Sequence, residues 1–443
     1  MPNQAEAALA ALKKENLIEV TRDIIDIPSR EGSEKGVADY LIDRFHRKGL
    51  QVITQEVEPD RYNVITVLKG TGGGPTLMYC GHMDTPWAGD EEGIDELGPG
   101  YKPPSYMEGD WICGMGAYNM KSGLATSIAA VEALKAAEVR LKGDVMVACV
   151  VGETCHHQVG RYQGARYRGG GIGATHMVAR GITADMCVIP EPTTNKISAG
   201  SGGYVHLEIK TRGNPGATYV RGGSSKAGVK PAVDAIGKMF GVAAAIKEWA
   251  PGYVASNKYR GEEAANATII AVEGGFPWRP SKLAPFCRLY LELVTTPGMH
   301  PGDVIAQVED LLAKCRKKDK DLNVELNVVA ITQGSEIETN SFVIKALSEA
   351  HHKVHNNTPE VTFDTWYADT TPLTRYGIPT VCYGSQGRAM TGGENYYPVQ
   401  GEAAHVDDLM DGAKVFVHMA VDVCSKDRAG MVKDRKRQGT VVY

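Results

Sequence analysis

The sequence predicts an α/β protein: a mostly parallel sheet flanked by helices, interrupted by a smaller α+β domain. Three observations carry this. In the first half, short apolar runs of strand length alternate with stretches of helical spacing, the order that buries a parallel sheet between helices. Near Gly200 the pattern changes to in–out alternation, as in Tyr204–Thr211, which suits a strand with one wet face. After Val328 the first pattern returns.

Taken in order, Leu9–Ile27 and Gly36–Lys48 repeat apolar residues at helical intervals. Gly70–Gly74 reads as a turn, and Thr76–Cys80 is an apolar run that ends at Gly81. Ala-rich Met120–Ala137 follows Asn119, a good helix N-cap. Val145–Val151 and Met186–Ile189 are further buried-strand runs, the second stopped by Pro190. From Tyr204 the order is strand, Gly-rich loop (213–228), helix from Pro231, strands Ala267–Val272 and Arg288–Val294, and helix Pro301–Lys317. That order is ferredoxin-like. Helix Ser341–Asn356, strand Thr380–Tyr383 and helix Val406–Val423 complete the larger part. The expected division is a discontinuous α/β domain, 1–199 with 321–443, around an insert at 200–320.

The chain has 443 residues, enough for two or three domains, and 48 basic against 53 acidic side chains. A net charge of −5 gives no reason to expect a nucleic-acid partner. No apolar run approaches the ~20 residues that cross a bilayer, and Met1–Asn16 lacks the continuous apolar stretch of a secretory signal. Nine cysteines form no CxxC pair, and Cys80, Cys149 and Cys382 lie inside apolar runs, as buried free thiols do. These features predict a cytoplasmic protein that is not membrane-bound.

The strongest local signal is Tyr79-Cys80-Gly81-His82-Met83-Asp84-Thr85. A strand ends and delivers a His and an Asp two residues apart at the carboxyl edge of the sheet, where ligands bind in open α/β folds. A metal-binding imidazole needs its second nitrogen fixed, and a nearby carboxylate is the usual device. A surface turn is the plain alternative. Three stretches add to it: Gly114–Lys121 opening a helix, Val150-Val151-Gly152-Glu153-Thr154 and Val188-Ile189-Pro190-Glu191-Pro192-Thr193 ending strands. A fourth, Gly401-Glu402-Ala403-Ala404-His405-Val406-Asp407, opens a last helix.

Taken together, these motifs resemble the metallopeptidase family of carboxypeptidase G, aminoacylase, acetylornithine deacetylase and succinyl-diaminopimelate desuccinylase. The resemblance spans essentially the whole chain, insert included. It implies His82, Glu191 and His405 as metal ligands, Asp84 as the carboxylate that orients the site, and Glu153 as general base. Asn119 stands where the family has an Asp bridging two metal ions, and Thr154 where it has a second ligand Glu. A neutral amide offsets the repulsion of two divalent ions poorly, so one ion (Zn, Mn, Fe or Co) is expected, held by His82, Glu191 and Asn119 Oδ1. His405 then stands as a last ligand or a substrate contact.

The family's lid His and substrate-binding Arg fall at Ala217 and Val294 here. Replacement contacts are sought in the stretch Arg161–Gly171, where Arg161, Arg166 and Arg168 with two tyrosines could grip a carboxylate or a flat ring. His156, His157, Trp366 and Asp369 are further substrate-side candidates. Each of these also has a structural reading, as solvated loop or core. The implied activity is metal-dependent hydrolysis of a C–N bond, an amide of a small carboxylate-bearing molecule, with Glu153 taking the proton of the attacking water. Two alternatives stand beside it: release of ammonia from an electron-poor aromatic amine, as nitroanthranilate aminohydrolase does, and a non-catalytic homologue. Family members with this insert commonly dimerise through it, and 204–211 is the edge strand expected to pair in a homodimer.

Overall fold

The computed structural model describes residues 4–87, 89, 91, 93, 96, 98, 100–214, 216–219, 232–384 and 401–431. Most of the Gly-rich loop, and Pro231 at the expected helix start, lie outside them. The chain forms two compact units: Met1–Gly200 with Glu336–Asp364 and Ala368–Tyr443, and Ser201–Ser335 with Thr365–Tyr367.

The first unit is built on an eight-stranded sheet. Its strands run Gln51–Glu58, Arg61–Leu68, Val145–Val150, Leu77–His82, Met186–Ile189, Thr380–Cys382, Ile197–Ser198, Val361–Thr362 in spatial order. The central strands 145–150, 77–82, 186–189 and 380–382 are mutually parallel. Side chains along Leu77–His82 alternate between two cores, as the period of a strand dictates. Leu77 and Tyr79 join Leu17, Leu124, Val188 and Phe416 on one face; Met78 and Cys80 join Met177, Ile189 and Leu373 on the other. Tyr79 packs against Phe416 with the rings tilted and their centroids 4.7 Å apart, and donates its hydroxyl to the Phe416 carbonyl. Each such buried side chain contributes roughly 1.5–3 kcal/mol. Helix Lys121–Ala136 is buried on nearly every side and runs close to the chain that follows Ile189. A Cβ on its Gly123 would lie 2.0 Å from the Pro190 carbonyl oxygen, so glycine is required for that approach.

Two sequence expectations are corrected in this unit. Leu9–Ile27 is two helices, Gln4–Ala11 and Lys14–Asp26, because Lys13 adopts an extended backbone. Met120, not Asn119, occupies the N-cap position of Lys121–Ala136, with no side-chain cap.

The second unit is a four-stranded antiparallel sheet, in the order Asn266–Gly274, Phe286–Thr295, Gly203–Arg212, Asn323–Thr332. Helices Ala235–Ser256 and Pro301–Lys318 pack on one face, where Val205, Leu207, Leu289, Leu291 and Val242 form the core. Strand 323–332 pairs with 203–212, so the sheet runs past the expected boundary near 320. The expectation that 204–211 is an edge is also corrected: this strand is internal, bonded on both sides, and the edges are 266–274 and 323–332.

Among the described residues no helix is long and apolar enough to cross a membrane. All nine cysteines are free thiols.

Candidate metal centre

Strand order builds the site. Strands 145–150, 77–82 and 186–189 are adjacent and parallel, so their carboxyl ends emerge side by side. His82 closes one strand, Glu153 lies three residues past the second, and Glu191 two residues past the third. One donor atom from each of these three side chains lies within 4.8 Å of the other two, and all three are buried. His82 Nε2 is 3.6 Å from Glu153 Oε2 and 3.6 Å from Glu191 Oε1. Asn119 Oδ1 approaches the same nitrogen at 2.9 Å.

Asp84 holds this edge together from behind. Its backbone carbonyl accepts from His82 Nδ1 at 2.9 Å, which turns Nε2 toward the carboxylates. Its carboxylate accepts the N–H groups of Glu153 (3.2 Å) and Thr154 (3.0 Å). Burial opposes ionisation of Asp84, but His82 and these two N–H groups outweigh it and hold its pKa below the ordinary value. Burial likewise disfavours a charged His82, yet Asp84, Glu153 and Glu191 hold its pKa well above normal. Burial pushes the Glu153 carboxyl far up; His82 relieves this, while Glu191, Asp369 and Asp84 reinforce it.

Several buried carboxyl groups around one imidazole make a strongly electronegative pocket, which a divalent cation would neutralise. The donor set fits such an ion. Ligand atoms ~2.1 Å from a transition metal stand about 3–3.5 Å from one another, close to the separations at His82 Nε2. Mixed N and O donors suit Zn, Mn, Fe or Co.

Asn119 is held by a residue that sequence reasoning missed. Glu402 is buried, and its Oε2 accepts the backbone N–H of Gly116 (2.9 Å), Tyr118 (3.0 Å) and Asn119 (3.1 Å). It lies in the quoted stretch 401–407, where the family resemblance implies His405. The register explains the difference: strand Ala403–His405 pairs with Trp111–Cys113, and Glu402 precedes it at the loop. His405 is not among the three side chains that meet at the centre. Its Nδ1 accepts from the Asp407 N–H at 3.2 Å as a helix cap, and its ring packs edge-on against Trp111 at 5.0 Å.

The other expected residues divide. Asp369 is buried and acts electrostatically on Glu153. Thr154 turns its hydroxyl to Glu31. His156, His157 and Arg166 line a cleft of about 320 Å³. Arg166 pairs with Glu91 at 3.2 Å and Arg168 pairs with Glu58, which makes both poor grips for a substrate carboxylate. Arg161 lies over the Tyr162 ring at 5.1 Å. Trp366 belongs to the second unit and is half-exposed. Ala217 bridges to Lys282 in a loop of that unit.

A buried ion cluster braces this side of the centre. Arg61 donates to Glu34, to Glu31 (2.8 Å), to Glu58 (2.8 Å) and to the carbonyl of Arg168 (2.8 Å). One guanidinium cannot neutralise so many carboxylates. Burial, with Asp84 and Glu34 nearby, pushes the Glu31 carboxyl up to about 10, so it holds its proton at neutral pH. No sequence spacing announces this cluster, because its members come from a helix entry, two strand ends and a loop.

The sequence matches the Peptidase family M20/M25/M40 over residues 78–422. The N-formyl-4-amino-5-aminomethyl-2-methylpyrimidine deformylase of Bacillus subtilis is 25% identical over 450 residues, covering 94% of this chain and 96% of the relative. A succinyl-diaminopimelate desuccinylase of Corynebacterium glutamicum is 32% identical over 200 residues, 44% of this chain and 47% of the relative. In fold, a Staphylococcus aureus tripeptidase superposes with a TM-score of 0.69 at 18% identity, covering 94% of this chain and all of that one (100%). The chain belongs to the peptidase family M20/M25/M40, and it is a hydrolase acting on carbon–nitrogen bonds.

Proposed function

We propose that this hydrolase cleaves the amide bond of a small N-acyl compound, with His82, Glu191 and Asn119 Oδ1 holding one divalent transition metal ion. The observation that supports this best is the buried meeting of His82, Glu153 and Glu191. When bound, such an ion supplies Lewis acidity to a water and to the substrate carbonyl. Glu153 is the general base. Its Oε2 takes a proton from the attacking water as the oxygen–carbon bond forms, and returns it to the leaving nitrogen as the C–N bond breaks. Asp84 positions both His82 and the Glu153 backbone.

A single ion is favoured by three features: the neutral amide at 119, the turn of Thr154 toward Glu31, and the capping role of His405. Two relatives named for deformylation and desuccinylation support an N-acyl substrate. We further read the protein as a homodimer formed through the edge strand Asn266–Gly274, which carries the exposed Ile270 and Val272. Size-exclusion chromatography with light scattering tests that.

The catalytic reading is tested by incubating Mn- or Zn-loaded protein with N-formyl, N-acetyl and N-succinyl amines and amino acids, detecting free amine. Turnover of at least one compound, abolished by chelation, is expected. Ammonia release from aminoaromatics without any acyl hydrolysis would replace the amide reading, and no turnover at all would sink it.

A further inference from the structure

The loop that carries Glu153 is held by two acids. Asp84 takes its backbone, accepting the N–H groups of Glu153 and Thr154. Glu31 takes a side chain: the Thr154 hydroxyl donates to Glu31 Oε2, while Glu31 Oε1 accepts from Arg61 Nη2 at 2.8 Å. Glu31 is fully buried, and the backbone around it leaves room for its carboxyl. A Cβ added to Gly152 would lie 3.1 Å from Glu31 Oε1. One added to Gly169 would lie 2.8 Å from Glu31 Oε2 and 1.9 Å from the Thr154 carbonyl oxygen. The loop and the chain at 169–171 are bonded to each other as well, through Gly170 N–H to Thr154 (2.8 Å) and Gly171 N–H to Gly152 (2.8 Å).

Glu31 is anchored on the strand end that presents His82. Its N–H donates to the Thr85 carbonyl at 3.2 Å, and the Thr85 N–H donates to the Ser29 carbonyl at 2.9 Å. The Ser29 hydroxyl donates to the Met83 carbonyl at 2.7 Å. The segment 29–31 therefore runs along 83–85, just past strand Leu77–His82, whereas Thr154 follows strand Val145–Val150. A carboxyl tied to one strand end and bonded to the loop of the next bears on the 3.6 Å approach of Glu153 Oε2 to His82 Nε2. That approach matters for rate, because a general base must lie within hydrogen-bond reach of the water it deprotonates, and a misplacement of about 1 Å can cost on the order of 10²-fold.

We propose that Glu31 is a positioning residue of the hydrolysis: through the Thr154 hydroxyl it fixes loop 152–154, and with it the place of the Glu153 carboxylate. Its part in the rate rests on the reading of Glu153 as general base; the latch between Glu31 and Thr154 does not.

The test compares Thr154→Val, Thr154→Ala and Thr154→Ser in Mn-loaded protein. Valine and alanine remove the hydroxyl, alanine without crowding Glu31, and serine keeps it. Thr154 is half-buried, so the three variants are expected to fold. Amide hydrogen exchange of the peptide spanning 150–156 is expected to run about 3- to 10-fold faster in the valine and alanine variants, the worth of one hydrogen bond. Their kcat on the best acyl substrate is expected to fall by about 10- to 100-fold, with KM and metal content as in the wild type. Serine is expected to restore both exchange and rate. A hydroxyl that served stability alone would leave the kcat of the folded protein unchanged. Unchanged exchange, unchanged kcat, a serine variant as slow as alanine, or loss of the metal, which would assign the hydroxyl to the ion, would each overturn the proposal. The two readings fail separately. A wild type that turns over no acyl compound removes the hydrolytic reading, and the latch then stands or falls on hydrogen exchange.

Discussion

The Oδ1 of Asn119 stands 2.9 Å from the Nε2 of His82, the same nitrogen that Glu153 and Glu191 each approach at 3.6 Å. A neutral oxygen therefore shares the imidazole with two acids. Resemblance to the family implies a bridging carboxylate at this position, and the amide removes its charge, which is the ground for proposing a single ion.

Glu153→Gln keeps the size and burial of the side chain but removes its capacity to take a proton. Turnover of the best acyl substrate is expected to fall by about 10²–10⁴-fold, the usual worth of a positioned general base, with metal content unchanged. Metal content is read by mass spectrometry on the same samples. A variant that keeps its rate would assign the base elsewhere.

Glu402 gives a pH signature. Burial pushes its carboxyl up to about 7, against the pull of three backbone N–H groups. A folded-state pKa above the unfolded value means that the folded protein holds the proton more tightly between about pH 4.5 and 7. The stability from this group is thus present below that window and lost as pH rises through it. Between pH 5.5 and pH 7.5 the wild type should lose about 1–2 kcal/mol of stability in urea unfolding relative to Glu402→Gln, whose neutral amide mimics the protonated carboxyl at both pH values. Parallel pH profiles for the two proteins, or a wild type that gains stability relative to the variant as pH rises, would contradict the assignment.

The cluster around Arg61 predicts an asymmetry between two substitutions. Arg61→Met strands Glu34 and Glu58 without their common donor and should cost about 3–5 kcal/mol in denaturant unfolding. Glu31→Gln should cost under about 1 kcal/mol, because a carboxyl pushed up to about 10 is already protonated at neutral pH and an amide mimics it. Equal losses would show that Glu31 is ionised.

How much of this was legible follows from the kind of signal each residue leaves. His82, Glu153 and Glu191 each follow a short apolar run at its carboxyl end, and strand-end position is written locally. Asn119 was visible as the residue before an Ala-rich helix, although as a cap as readily as a donor. Glu402 was not legible, because its role depends on the pairing of 403–405 with 111–113, a contact across almost 300 positions. Arg61 and Glu31 were hidden for a similar reason: a buried ion cluster assembled from separate elements has no spacing. The internal place of strand 203–212 was missed because alternating polarity marks one wet face and does not say whether a strand has one neighbour or two.

The central claim is that a solitary divalent ion is held where three strand ends meet. Metal content per chain, measured after loading with Mn or Zn and removing the excess by dialysis, tests it most directly. One equivalent in the wild type, lost in His82→Ala and retained in Glu153→Gln, is the predicted result. Two equivalents, or one that survives His82→Ala, would contradict it.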